Sequence, residues 1–169
     1  PVDVASEAGV LVANVPGANS VTVAEHVIWS SLALLRKYPM VNQDLRGNGW
    51  ETGRAHSNQG RELSGCTVGL LGAGNVGKHV AKMAQFGFGC SVIAQTRTPA
   101  KLPDGITAVS FDELLKQSDV LVLCCPLTSK TRGIISAAAI EKMKQGAILI
   151  NVARGPVTDE VALVEALLS

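Results

Sequence analysis

Aromatic side chains are scarce in this 169-residue chain: they make up 4% of it, against 47% hydrophobic residues. That leaves the interior to Val, Leu, Ile and Ala, as in the core of an α/β protein. Neither sign of charge is in excess. A formal net charge of +1 at pH 7 gives no reason to expect nucleic acid or a membrane surface as a partner. Long apolar runs are missing too, and none approaches the ~20 residues that span a bilayer. The sequence opens at Pro1 with no initiator Met and no signal-peptide pattern, so the expectation is a chain that starts partway through a longer protein. Cysteine is limited to Cys66, Cys90, Cys124 and Cys125, without the spacing of a metal site. They read as small buried hydrophobes in a reducing, cytoplasmic compartment rather than as a disulfide framework.

What the chain does contain is glycine in a pattern. Thr67-Val68-Gly69-Leu70-Leu71 reads as a short apolar strand, and it runs into Gly72-Ala73-Gly74-Asn75-Val76-Gly77. A helix with apolar positions at Val76, Val80, Met83, Ala84 and Phe86 follows. In this setting Gly72 allows the tight turn, Gly74 lets backbone approach a pyrophosphate, and Gly77 lets helix pack on strand. The unpaired N–H groups and positive dipole end of the helix then face the anion. The spacing alone is common; the strand before it and the helix after it are what favour dinucleotide binding over an empty structural turn.

Along the chain, residues 3–8 are expected to be a short helix and Val10 to Val15 a strand ended by Pro16-Gly17. Residues 20–37 carry apolar positions at helical spacing, with Ser20 or Thr22 as the cap, and 40–48 forms a further short helical piece. From 47 to 65 the composition turns polar and glycine-rich, which reads as a long surface connection without a periodic element. Beyond the glycine turn, strands are expected at 91–94, 107–109, 119–125 and 147–151. Helices are expected at 111–116, 136–144 and 159–168. Apart from Asp119 and Asn151 at their ends, the 119–125 and 147–151 runs are apolar, as in strands buried on both faces. Strands alternating with helices mean right-handed crossovers and a parallel sheet. The fold class is α/β, a Rossmann-type doubly wound parallel sheet.

Five stretches carry a closer likeness: Asn14 to His26, Glu62-Leu63-Ser64-Gly65, the glycine turn, Pro126 to Arg132, and Asn151-Val152-Ala153-Arg154-Gly155. On these the chain resembles the nucleotide-binding domain of the D-isomer-specific 2-hydroxyacid dehydrogenases. The resemblance implies a truncated piece of a two-domain protein. Residues 1–19 would be a remnant of the substrate domain and its crossover, and 20–169 a dinucleotide-binding domain incomplete at its C-terminus. It also implies hydride transfer between NAD(P)H and a small 2-keto or 2-hydroxy acid such as glyoxylate or hydroxypyruvate, and a homodimer supported by 20–37 and 47–65. Arg154, after a strand end, would hold the substrate carboxylate and polarise the reacting carbonyl; its fixed, permanently charged donors suit that task. Asn19 would lie near the substrate. Gly72, Gly74, Asn75, Val76, Gly77, Pro126, Thr128 and Thr131 would line the cofactor, and Val152 and Ala153 would lend backbone near its nicotinamide. Structural assignments compete at several positions: Arg154 as a helix cap or a partner of Asp159, Asn19 as a turn residue, Thr128 and Thr131 as caps.

Two departures are informative. An NAD-type site places a carboxylate at the end of the second strand, about twenty residues past the glycines, to bind the ribose 2′-OH. Here that position reads Gln95-Thr96-Arg97-Thr98, which favours a 2′-phosphate and NADP over NAD, unless Arg97 is only a solvated turn residue. The second departure concerns proton transfer, which needs a positioned acid or base. His26, His56 and His79 fall outside the family's catalytic position, so the resemblance places the catalytic His and its carboxylate partner beyond residue 169. The chain alone is expected to bind cofactor without turnover. A competing reading from another class is a dinucleotide-sensing, corepressor-like binding module.

Overall fold

The computed structural model describes residues 2–169. Five strands form one sheet: β1 (Thr67–Leu71), β2 (Ser91–Gln95), β3 (Ile106–Ala108), β4 (Val120–Leu123) and β5 (Ile148–Asn151). Their order is β3-β2-β1-β4-β5, and each neighbouring pair runs parallel. Eight α-helices accompany them: α1 (Val2–Glu7), α2 (Ser20–Leu35), α3 (Tyr38–Gly47), α4 (Trp50–Ser57), α5 (Asn75–Phe88), α6 (Phe111–Gln117), α7 (Ala137–Ile140) and α8 (Glu160–Leu168).

The period-two geometry of a strand sorts its side chains between two helical layers. Val68, Leu70, Val92, Ala94, Val120 and Val122 pack against α2 and α5. Leu71, Ile93, Leu121 and Leu123 face the other way, onto Leu114 and Leu115 of α6 and Ala139 of α7. Gly69 belongs to this second face. A Cβ there would collide with the Ser118 hydroxyl and touch Leu114, so the missing side chain lets α6 lie close on the central strand.

Local signals account for the helix ends. Ser110 and Glu113 form a reciprocal capping box at α6. The Asp159 side chain accepts from the Val161 and Ala162 N–H groups at α8. Gly89, at φ 65°, closes α5 in the left-handed conformation.

Several expectations are corrected. Residues 10–15 form no strand; they are exposed coil, with Leu11 94% accessible, and neither sheet edge reaches them. The 47–65 connection is not free of regular structure, because α4 packs beside α3 with Gly53 against Leu45. Neither Ser20 nor Thr22 caps α2: its N-cap is Asn19, with no side-chain bond, and Ser20 is buried inside the helix. The helix expected at 136–144 is a single turn, capped by Ser136. Phe86 is not on the buried face of α5; it is 83% exposed. β5 is an edge strand, with Ile150 its one fully buried residue rather than a continuous buried run. Among the cysteines, Cys90 is buried and the other three are partly so; all four are free thiols.

Candidate dinucleotide site

The sheet brings the candidate residues to one edge. Leu71 is in register with Gln95 and with Leu123, and Leu123 with Asn151. The residues that follow, Gly72, Thr96, Cys124 and Val152, therefore leave the sheet side by side at the carboxyl ends of four parallel strands. Ligands of open α/β sheets bind in that place.

The glycine turn is held from both sides. The Gly72 N–H donates to the Gln95 carbonyl at 2.9 Å, and the Cys124 thiol donates to the Gly72 carbonyl at 2.8 Å. Burial, with Cys125 adding to it, pushes the Cys124 thiol up to about 12, so it stays a protonated donor rather than a reactive thiolate. The three glycines are required for three different reasons. Gly72 sits at φ +97°, and a Cβ there would lie 3.0 Å from the Cys125 backbone. A Cβ at Gly77 would lie 2.7 Å from the Gly72 carbonyl oxygen, which keeps α5 tight on the turn. At Gly74 a Cβ would meet nothing within 4 Å, so neither packing nor φ calls for glycine there. Open space at that position, ahead of the uncapped N-terminus of a 14-residue helix, fits an approaching pyrophosphate.

A cleft of about 190 Å³ opens beside this turn. Its walls are Ala73, Gly74 and Asn75 of the turn, Lys78 of α5, Thr96 and Thr98 after β2, and Lys101 and Leu102 at the short 3₁₀ turn Pro99–Lys101. The Thr98 N–H donates to the Thr96 hydroxyl oxygen at 3.3 Å, shaping the bend. No carboxylate lines the cleft. Arg97 is exposed and is not one of its walls. A larger groove of about 560 Å³ runs along the outer flank of α5, past Lys82 and Phe86. It shares Asn75 and Lys78 with the smaller cleft and reaches Asp104, whereas Ala73 and Gly74 of the turn and Thr96 after β2 wall the smaller cleft alone.

The other loops are braced internally. Thr131 accepts from the Thr128 N–H at 2.8 Å and donates to the Pro126 carbonyl at 2.7 Å, so its hydroxyl is engaged in its own loop. The Thr128 hydroxyl lies 3.1 Å from it on an exposed surface. After β5, the Asn151 amide donates to the Arg154 carbonyl at 2.9 Å and its oxygen accepts from the Ala153 N–H at 3.0 Å. The exposed Arg154 guanidinium donates back to the Ala153 carbonyl at 2.7 Å. Arg154 makes no ion pair with Asp159, which instead caps α8. Asn19 sits at the start of α2 behind the Pro16-Gly17 turn, where a Cβ on Gly17 would be 2.8 Å from the Asn75 amide. No hydrogen bond joins Asn19 to Arg154 among the described residues. Sequence reasoning passed over three residues here. Lys78 stands one turn into the cofactor helix, Lys101 follows Pro99, and Asn151 shapes the loop that presents Arg154.

The histidines lie elsewhere: His26 against Trp29 on α2, His56 paired with Asp44 at 3.2 Å, and His79 on the α5 groove. Among the described residues no helix is long and apolar enough to cross a membrane.

Comparison with known proteins shows the family and the fold. Residues 28–169 match the family model described as D-isomer specific 2-hydroxyacid dehydrogenase, NAD binding domain. A hydroxypyruvate reductase of Thermotoga maritima is 40% identical over 98% of this chain and 53% of its own length. A D-3-phosphoglycerate dehydrogenase of Archaeoglobus fulgidus is 38% identical over 98% of this chain and 31% of its own. The chain thus spans between about a third and about half of these relatives. Among solved structures, a glyoxylate reductase from Paecilomyes thermophila superposes with a TM-score of 0.84 at 38% identity, over 99% of this chain and 50% of that one. A Staphylococcus aureus formate dehydrogenase in complex with NAD gives 0.85 at 32% identity, over 99% and 51%. The chain belongs to the D-isomer-specific 2-hydroxyacid dehydrogenase family, and what it contains is that family's NAD-binding domain.

Proposed function

We propose that this chain is the cofactor-binding part of an oxidoreductase that moves a hydride between NAD(P)H and a small 2-keto or 2-hydroxy acid, glyoxylate or hydroxypyruvate being the nearest candidates. The carrying observation is the glycine turn, open at Gly74 alone and lying at the same sheet edge as Arg154. The relatives named above are reductases and dehydrogenases, which favours this reading over a sensing module.

A bound nicotinamide supplies or accepts the hydride. The chain's own residues bind and orient. The N–H groups of Asn75, Val76 and Gly77 face the pyrophosphate, and the loop of Pro126, Thr128 and Thr131 flanks the cofactor. The backbone of Val152 and Ala153 lies toward its reactive end. Arg154, fixed in place by the Asn151-braced loop, takes the substrate carboxylate and draws charge from the carbonyl. Asn19 approaches from the crossover. Residues 1–19 belong to the substrate domain and its crossover, and 20–169 to the dinucleotide domain. No histidine here follows a strand end, so proton transfer has no group in this chain to perform it. The chain alone binds without turning over.

The cofactor is NADP in preference to NAD, because the bend after β2 presents Thr96 and Arg97 and no carboxylate. Free thiols fit a reducing cytoplasm. The protein works as a homodimer through α2, α3 and α4, where Trp29 is 60% and Trp50 66% exposed. Titration of the 169-residue chain with NADPH and separately with NADH tests the cofactor reading. Binding of NADPH at least about ten-fold tighter, a difference of ~1.4 kcal/mol, is expected. Tighter NADH binding would remove the preference and keep the site, and a folded chain that binds neither would remove the site.

A further inference from the structure

We propose that Lys78 and Lys101 are the residues that select the phosphorylated dinucleotide, gripping the 2′-phosphate from two different elements. The inference rests on the NADP reading above and deepens it. The first observation is one of placement: both lysines wall the cleft bounded by Gly74 and Thr96, and Arg97, the cation that sequence position singles out, does not. The second is charge balance. Two lysines and no carboxylate are among the walls of the cleft, and neither lysine's side chain has an ion-pair partner among the described residues. Two lysines that wall one cleft of about 190 Å³ with no carboxylate beside them would both gain from a dianion bound there.

The remaining walls suit the same anion. The Thr96 hydroxyl oxygen already accepts from the Thr98 N–H, which leaves its own proton free to donate. Thr98 brings a second hydroxyl to the cleft. An ammonium is a compact charge with rotatable donors, and two of them beside two hydroxyls can surround a phosphate without the planar fork an arginine requires. Lys78 also stands one turn into α5, so it adds its charge to the positive end of the helix that faces the pyrophosphate. An unphosphorylated ribose offers neither lysine anything to neutralise, so selectivity and affinity separate: the lysines act on the 2′-phosphate far more than on the rest of the dinucleotide.

The experiment is calorimetric titration of the 169-residue chain with adenosine 2′,5′-bisphosphate and with 5′-AMP. It is repeated on Lys78→Ala, Lys101→Ala and Arg97→Ala, with circular dichroism to show that each variant is folded. All three positions are exposed, and their truncation leaves the core untouched. The unaltered chain is expected to prefer the bisphosphate, and each lysine variant to lose about ten-fold of that preference, in the range for a charge-assisted contact. Arg97→Ala is expected to lose less than either, and 5′-AMP binding to Lys101→Ala to stay within about two-fold of the unaltered chain. A preference that survives in both lysine variants and disappears in Arg97→Ala overturns the assignment while leaving the NADP reading intact. No preference in the unaltered chain overturns the NADP reading, and the lysine assignment falls with it.

Discussion

A single methyl group separates the roles of the glycines in the turn. At Gly72 an added Cβ faces both a left-handed φ and the Cys125 backbone, and at Gly77 it meets a carbonyl oxygen. Gly72→Ala and Gly77→Ala are each expected to destabilise the fold by about 2 kcal/mol or more, read as a lowered midpoint in urea. Gly74 behaves differently. Its backbone is extended, it stands at the N-cap of α5, and the space around its missing side chain is open. Ser at this position supplies a cap that the helix lacks, so Gly74→Ser is expected to keep or raise the thermal midpoint while NADPH affinity drops at least about ten-fold. A variant that lost stability and kept its affinity would falsify the division of roles. This distinction was half legible in the sequence: the spacing identifies the three glycines, but only the neighbours of each absent Cβ show which one is kept free for a ligand. Arg97 and the two lysines teach the same lesson. Chain position points to Arg97, whereas the bend at Thr96 and the 3₁₀ turn decide which cations face the cleft.

Elements were readable wherever one face had to be apolar. The strands after residue 66 and the helices α5 and α6 follow from periodicity and caps, because each must bury a stripe, whereas α8 buries only Ala162 and starts at the Asp159 cap. The helix α4 has no such stripe. Its Trp-Glu-Thr-Gly-Arg-Ala-His-Ser run is polar, and it is held by a partner, with Gly53 seated on Leu45 of α3 and His56 paired with Asp44. The apolar run at 10–15 fails for the converse reason: without a neighbouring edge, a β-prone segment has nothing to pair with. At the amino-terminal end of the sheet, Asp119 ties elements together, accepting from the Thr67 N–H at 2.8 Å and from Lys144 at 2.9 Å. Partial burial pushes this carboxyl up, but the Thr67 N–H, then Lys144 and Arg61, outweigh it and hold the group below the ordinary carboxylate range. A depressed value means that its stabilisation is present above the ordinary range and is lost as pH falls through the lowered value. Thermal midpoints measured between about pH 7 and pH 2 are therefore expected to fall on acidification, and to fall less in Asp119→Asn. Equal acid limbs in the two proteins would remove Asp119 from the account.

For the whole molecule, the apolar surface is uneven. Besides the amino-terminal coil and α8, where Leu11, Val161, Leu167 and Leu168 are exposed, α2, α3 and α4 together present Trp29, Leu34, Tyr38, Met40, Leu45 and Trp50 to solvent. A surface of this kind is expected to pair with a copy of itself. Sedimentation of the chain should show a dimer, and Trp29→Asp should shift it toward monomer without changing NADPH binding. A dimer that persists unweakened would move the interface elsewhere. The sheet order also has a consequence in time. The central strand β1 pairs with β2 across the α5 crossover, but its other partner, β4, is roughly twice as far along the chain. Closing the longer loop costs more entropy before any contact rewards it. The β1-α5-β2 unit, which carries the glycine turn, should therefore acquire amide protection first during refolding, with β4 and β5 joining later. The pyrophosphate cradle then forms early, and the platform for Arg154 is the last part of the site to become rigid.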